Sequence, residues 1–83
     1  MDRWTDDDYE AIFVGNPPTE AEAPSAPDCQ RLGLALGRSP GAILAQWDDG
    51  RSLVLGQKSA ASANLRDYLV KNPAHSPELA SRS

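Results

Sequence analysis

Apolar side chains recur along the chain at helical spacing, first near its amino terminus. The first stripe consists of Tyr9, Ile12 and Phe13, at positions i, i+3 and i+4. Thr5 and Asp8 have the spacing of a capping box. Trp4, just before the cap, can pack on Tyr9 as a hydrophobic staple. The acidic run after the cap suits the positive end of a helix dipole, so it indicates a helix start rather than a metal site. A first helix is predicted over residues 4–14.

A second stripe follows a proline-rich loop at residues 15–27. It consists of Cys29, Leu32, Gly33 and Leu36. Ser25 is a plausible cap and Pro27 suits a first helical turn. Gly37 can adopt the left-handed conformation that ends a helix. We therefore predict a second helix from Pro27 to about Leu36.

The next segment, GRSPGAILAQW, carries the strongest local signals. Ser39 followed by Pro40 is a cap ahead of a preorganised first helical residue. Residues 37–39 alone would separate this helix from the second, which is the geometry of a helix-turn-helix. Ile43 and Trp47 are spaced to face inward. The positions predicted to face outward are Leu44, Ala45, Asp48, Arg51 and Ser52.

The same stretch also fits a β-hairpin. ILAQW and RSLVL are two apolar runs on either side of DDG, and an Asp-Gly turn is typical of a hairpin. Gly50 inside a helix costs about 1 kcal/mol relative to alanine, which favours the hairpin. The Ser-Pro start favours the helix, so the two alternatives stay open on local signals alone.

A last helix is predicted over residues 59–71, capped by Ser59 or Ser62 and stopped by Asn72 and Pro73. Its buried stripe consists of Leu65, Tyr68 and Leu69. Residues 73–83 lack apolar periodicity and are predicted to be a disordered tail. Residues 1–72 then form a single domain, whose small size limits how much apolar surface it can bury.

Charge is distributed unevenly along the 83 residues, whose formal net charge is −4. Residues 1–28 carry one basic and eight acidic side chains, whereas residues 29–83 carry seven basic and four acidic ones. An acidic amino-terminal segment followed by a mildly basic remainder is compatible with a surface that contacts phosphates. The start of the chain does not resemble a signal peptide, and no apolar stretch is long enough for a membrane span. The cytoplasm is therefore the expected location.

Candidate catalytic chemistry is sparse. The chain has one cysteine, so an internal disulfide and a zinc site built from cysteines are excluded. Cys29 falls on an apolar stripe, which favours a small buried hydrophobe over a nucleophile. The single histidine, His75, lies in the predicted tail. Acid–base catalysis needs a convergent group of titratable side chains, so we expect neither an enzyme nor a bound cofactor or metal.

The segment GRSPGAILAQW resembles the third-helix segment of Myb/SANT-type domains, a branch of the homeodomain-like helix-turn-helix proteins. The matching positions are Gly37, Arg38, Ser39, Ala42, Ile43 and Trp47. The opening Arg3-Trp4-Thr5 with its acidic run is similar to the start of such a repeat, so the likeness covers about residues 3–55. It implies an all-α fold, with a three-helix helix-turn-helix core and the last helix as an addition. The middle tryptophan of the family is absent, and Cys29 or Leu32 is expected to fill its place.

This resemblance implies a small DNA-binding regulator with the third helix in the major groove of double-stranded DNA. The residues assigned to DNA are Arg38, Ser39, Leu44, Ala45, Gln46, Asp48, Arg51, Ser52, Arg66 and Lys71. The arginines and Lys71 would meet phosphates, and Arg51 has guanine as an alternative. Leu44 and Ala45 offer only apolar contacts, such as to a thymine methyl, and Asp48 can accept from a cytosine amino group. A domain with so few basic residues would bind DNA weakly, and a homodimer is therefore expected.

The alternative function is a SANT-like protein-binding module or a small inhibitor of a partner protein. The acidic front, the outward Leu44-Ala45 pair and the apolar run 53–55 favour it. Two arrangements of side chains would discriminate between the DNA-binding and the protein-binding function. One face holding Arg38, Arg51, Lys58, Arg66 and Lys71 would favour DNA. An open patch that contains both Leu44 and Leu53 would favour protein.

Overall fold

The computed structural model describes residues 3–20, 22–57 and 62–72, and in these ranges the chain is helical with no strand. Four helices follow one another: α1 (Asp6–Gly15), α2 (Ala26–Leu36), α3 (Pro40–Val54) and α4 (Ala63–Lys71). The all-α prediction is therefore confirmed, and the hairpin alternative is wrong, because its two apolar runs lie in one continuous helix. The predicted tail at residues 73–83 lies outside the described residues.

The helix starts follow from local side-chain chemistry. In the capping box of α1, the Thr5 amide donates to the Asp8 carboxylate at 3.0 Å and the Asp8 amide donates to Thr5 Oγ1 at 3.3 Å. The other three helices begin with a serine cap that accepts an amide hydrogen bond, and these caps are Ser25, Ser39 and Ser62. Gly37 ends α2 with φ 69°, in the left-handed region. Each cap satisfies an amide that the helix itself leaves unpaired.

The core lies where the four apolar stripes meet. Its buried members are Tyr9, Ile12, Phe13, Cys29, Ile43, Trp47, Leu53, Leu65, Tyr68 and Leu69. Trp47 is buried in the core, as its inward spacing predicted, whereas Trp4 is half-buried and packs against the core. The rings of Trp4 and Tyr9 stack with their centroids 6.0 Å apart, which confirms the predicted staple. Burial also raises the pKa of the Cys29 thiol, consistent with its role as a small hydrophobe.

Gly50 is explained by a tertiary contact rather than by a turn. A Cβ at this position would lie 2.7 Å from Cζ of the buried Phe13 ring. The glycine therefore lets α3 approach α1 closely. This contact offsets the low helix propensity that made the hairpin plausible from the sequence.

The turn between α2 and α3 is tightened by a second glycine. A Cβ at Gly33 would lie 2.5 Å from the carbonyl oxygen of Arg38, in the backbone of the turn. Residues 37–39 are the whole connection, so this close approach of α2 to the turn sets the direction in which α3 leaves.

Helix α4 closes the core against α1 with both apolar and polar contacts. Leu65, Tyr68 and Leu69 are buried, and the Tyr68 hydroxyl donates to the carboxylate of Glu10. Lys71 pairs with Asp6 at the start of α1, with 2.8 Å between Nζ and Oδ2. The last helix is thus an integral part of this fold.

Alkaline pH should destabilise the fold through its buried tyrosines. Burial raises the pKa of both Tyr9 and Tyr68, and the hydrogen bond to Glu10 raises that of Tyr68 further. The unfolded chain ionises near pH 10 whereas the folded chain keeps these phenols neutral. The contribution of these two phenols to stability is therefore complete below about pH 10 and falls above it, by up to about 1.4 kcal/mol per pH unit for each tyrosine.

Thermal melts between pH 8 and 12, followed together with tyrosinate absorbance, measure this effect. Tyr68→Phe, which removes one of the two ionisations, should show a shallower loss of stability relative to its own value at pH 8. Tyrosinate absorbance that appears near pH 10 for both residues, before any unfolding, would contradict the expectation.

Candidate binding surface on the third helix

Helix α3 has one face in the core and one face towards solvent. Ile43, Trp47, Gly50 and Leu53 are its buried residues. On the opposite side Leu44 is 37% exposed, and Leu55 at the carboxyl-terminal cap is 50% exposed. We call this outward side the α3 face, and its residues are Gly41, Leu44, Ala45, Asp48, Ser52 and Leu55. Helical periodicity aligns these positions in one stripe about four turns long.

Arg38 has a structural position within the fold. Its guanidinium carbon lies 3.9 Å from the centroid of the Trp4 ring, in a cation–π arrangement. One of its nitrogens donates to the carbonyl of Arg3 at 3.0 Å and to the Asp8 carboxylate at 3.1 Å. Only 8% of the side chain is exposed. Arg38 therefore fastens residues 3–8 to the α2–α3 turn, and a phosphate contact would require it to leave this cluster.

Arg51 holds the proline-rich loop. Its Nη1 donates to the carbonyl of Pro18 at 2.9 Å, and Pro18 itself is fully buried. One turn earlier, Trp47 Nε1 donates to the carbonyl of Asn16 at 2.8 Å. Two donors on α3 thus fix the first residues of the loop. The predicted contact of Arg51 with DNA would compete with this hydrogen bond.

The remaining predicted cations lie on α4 or outside the described residues. Lys71 is exposed but pairs with Asp6. Arg66 is exposed on α4, and no described side chain pairs with it. Lys58, which the DNA arrangement also required, lies outside the described residues. The Arg38 and Arg51 side chains are instead directed to two different segments, one before α1 and one after it.

A groove runs between Trp4 and the amino-terminal half of α3. It has a volume of about 400 Å³, and its walls are Trp4, the Arg38 stem, Ala42, Ala45 and Gln46. Ser39, the cap of α3, lines its end and accepts from the Ala42 amide at 3.2 Å. Ala45 belongs both to this Trp4 groove and to the α3 face, so the two surfaces are continuous.

Negative charge marks the middle of α3. Asp48 is exposed on the α3 face, and Asp49 beside it is half-buried. Burial raises the pKa of Asp49, and the charge of Asp48 raises it further. The surface therefore combines apolar groups with a negative potential, which is unfavourable for a phosphate backbone.

Leu53 does not lie where the arrangement expected for protein binding requires it. It is buried in the core rather than exposed beside Leu44, because α3 continues to Val54 and turns residue 53 inward. Leu55, two residues on, is the exposed leucine instead. The expected open patch of Leu44 with Leu53 is thus wrong, and the α3 face exposes Leu55 instead. The arrangement expected for DNA includes Lys58, which lies outside the described residues, so it stays a prediction.

The structure also shows residues that sequence reasoning missed. Trp4 was assigned only to packing, yet it forms a wall of the groove. The partnership of Asp8 with Arg38 spans 30 positions, and only their opposite charges could have suggested it. Nothing local indicated that Pro18 is buried or that its carbonyl accepts from Arg51.

Other chemistry is not indicated in the described ranges. A second pocket of about 280 Å³, between the end of α1 and the start of α2, is lined partly by Glu20, Glu22 and Asp28. Even so, no three His, Cys, Asp or Glu side chains of residues 3–20, 22–57 and 62–72 are placed to hold a metal ion. None of the described helices has the length and apolar character that crossing a bilayer requires.

Comparison with known proteins gives no family assignment. No protein-family model matches this chain, and no curated protein or solved structure shows significant similarity to it.

Proposed function

We propose that this chain is a non-catalytic protein-binding module of the helix-turn-helix kind, which uses the α3 face as its interface. The arrangement envisaged is a Myb/SANT-like core of α1, α2 and α3, to which α4 is an addition. The observation that carries the proposal is the exposure of Leu44 and Leu55 on either side of Asp48, along a helix whose only arginine is engaged by the loop.

Exposed leucine side chains on this helix are unfavourable in water, and an interface would remove their apolar surface from solvent. Fully burying an exposed leucine side chain is worth about 1.5–3 kcal/mol. Because Leu44 is 37% and Leu55 50% exposed, covering what remains is worth about 1 kcal/mol for each. The small residues Gly41, Ala45 and Ser52 on the same face would let a partner approach closely. Aspartate at the centre of a mostly apolar patch is compatible with a protein partner that supplies a cation.

The hydrogen bonds that the cationic side chains already make favour a protein partner over DNA. DNA affinity comes largely from Lys and Arg side chains that neutralise phosphates. Arg38, Arg51 and Lys71 each donate to an acceptor within the fold, and two aspartates lie on the helix that would enter the groove. Each phosphate contact by these residues would have to replace an existing hydrogen bond, which lowers its net contribution.

DNA binding is the second candidate, and one observation favours it. The connection between α2 and α3 has three residues and is tightened at Gly33, and a connection of this length is typical of helix-turn-helix proteins, which present a recognition helix after it. Gly41 and Ala45 at the start of that helix are small enough for close approach to a groove. A homodimer would be needed to reach useful affinity from so few phosphate contacts.

Matched leucine variants test the proposal. Leu44→Ser changes the α3 face, whereas Leu34→Ser changes a leucine that is 87% exposed on α2. We expect the full chain to retain a specific partner protein from extract of its own cells. Leu44→Ser should weaken that binding at least about tenfold and Leu34→Ser should not, as expected of an anchor in an interface. Circular dichroism should show both variants folded.

A gel-shift titration with random duplex DNA decides between the candidates. Little or no shift is expected at moderate salt. A shift whose slope of log K against log salt is about −3 to −4, and which strengthens in Asp48→Asn, would establish the DNA function instead. Partner retention that is equally sensitive to Leu34→Ser and Leu44→Ser would remove the α3 face from the interface.

A further inference from the structure

The Trp4 groove and the α3 face together restrict the kind of partner that fits, if the proposed protein-binding function is correct. The groove is an apolar recess whose floor is the helix surface at Ala42 and Ala45. Its Trp4 wall is held on one side by the Arg38 guanidinium, at 3.9 Å, and by stacking on Tyr9. The wall is therefore preformed, and a partner would not have to order it on binding.

The groove is large enough to accept a large apolar side chain. Its volume of about 400 Å³ exceeds that of one leucine or aromatic side chain. Ala45 lies both in the groove and on the α3 face, where Asp48 follows one turn later and Leu55 two turns after that. An occupant anchored in the groove can therefore continue along α3.

The small residues on the α3 face favour a helix as that continuation. Gly41, Ala45 and Ser52 present little side chain, so the backbone of a second helix can lie close to α3. A helix that follows α3 brings a residue opposite Asp48 at three or four positions from its anchor. Asp48 is exposed, and the described residues as a whole carry ten acidic and six basic side chains. Charge complementarity requires a cation at the position opposite Asp48.

We propose that the α3 face binds a basic amphipathic helix of a partner protein, which inserts a large apolar side chain into the Trp4 groove and places a Lys or Arg opposite Asp48. Apolar residues that repeat at helical spacing over about eleven positions of the partner cover Leu44 and Leu55, which are themselves eleven residues apart. This mode is that of a helix lying in a groove, in which a few anchors supply most of the affinity.

Selection from a library of random sixteen-residue peptides, displayed against the full chain, tests this chemistry. The selected peptides should share the helical apolar pattern and at least one Lys or Arg, and should gain helicity on binding. Ala45→Arg, which fills the mouth of the groove, should weaken the best peptide at least about tenfold. Asp48→Lys should weaken it about threefold or more, and changing the opposed Lys of the peptide to Glu should restore binding to Asp48→Lys.

The matched control is Arg66→Glu, an exposed change of charge on α4 that should leave peptide binding unchanged. Selected peptides that are acidic or extended, yet still lose binding in Leu44→Ser, would overturn this partner chemistry and leave the protein-binding function in place. Peptides that are indifferent to Leu44→Ser, Ala45→Arg and Asp48→Lys would overturn both. A library that yields no binder would also overturn the basic-helix partner.

Discussion

Trp47→Ala should remove most of the free energy of unfolding of this chain. Trp47 is buried in the core, and truncating a buried tryptophan costs about 3–5 kcal/mol. A domain of this size has a total stability near the low end of the usual range, about 5 kcal/mol. The variant also loses the hydrogen bond from Nε1 to the Asn16 carbonyl, so the loop loses one of its two anchors on α3.

Denaturant titration followed by circular dichroism measures this loss. Trp47→Phe is the matched control, because it keeps a ring in the core and removes the Nε1 donor, at a cost of about 1–2 kcal/mol. A cooperative transition for Trp47→Ala at the midpoint of the parent would mean that the indole does not support the core.

Gly33→Ala should also destabilise the fold. Its Cβ would lie 2.5 Å from the Arg38 carbonyl, and also 3.4 Å from the Pro40 nitrogen. Because these atoms are backbone, the turn itself must shift. Overpacking of this kind costs up to about 3 kcal/mol, and alanine regains about 1 kcal/mol through helix propensity. The net loss should be about 2 kcal/mol.

Gly41→Ala provides a control of opposite sign. It is also a helical glycine, but a Cβ there would meet nothing within 4 Å, so stability should rise by about 0.4–1 kcal/mol. The two variants can be compared in one series of urea titrations. Equal effects of the two substitutions would rule out the close approach at Gly33.

Helix starts could be predicted from the sequence because their causes are local. A cap lies within three residues of the amide that it satisfies, so Thr5, Ser25 and Ser39 were each identifiable from their neighbours, and Ser62 was one of two candidates for the last helix. The apolar stripes could also be predicted, since the spacing of apolar residues shows which face of a helix is buried. The choice between a helix and a hairpin for the α3 segment was left open partly because of Gly50. A glycine stands at this position because of the Phe13 ring, which is distant in sequence.

The candidate site was harder to predict because its residues depend on partners far away in sequence. Arg38 and Arg51 look like free cations at a turn and on a helix, yet their acceptors lie 30 to 35 positions earlier. No local pattern specifies such pairs. The outward positions Leu44, Ala45 and Asp48 were predicted, since helical periodicity fixes them once the inward residues are known.

The anchoring of the proline-rich loop has a practical consequence for engineering. Asn16 and Pro18 are tied to α3 at one end of the loop, and the Cys29 thiol lies 3.8 Å from the Pro24 carbonyl at the other. Between these fixed points Thr19, Glu20, Glu22 and Ala23 are exposed. A reporter sequence grafted into that stretch would be held at both ends by existing contacts, on a segment that contributes nothing to the α3 face. Extra residues there would add only a slowly growing loop-closure entropy.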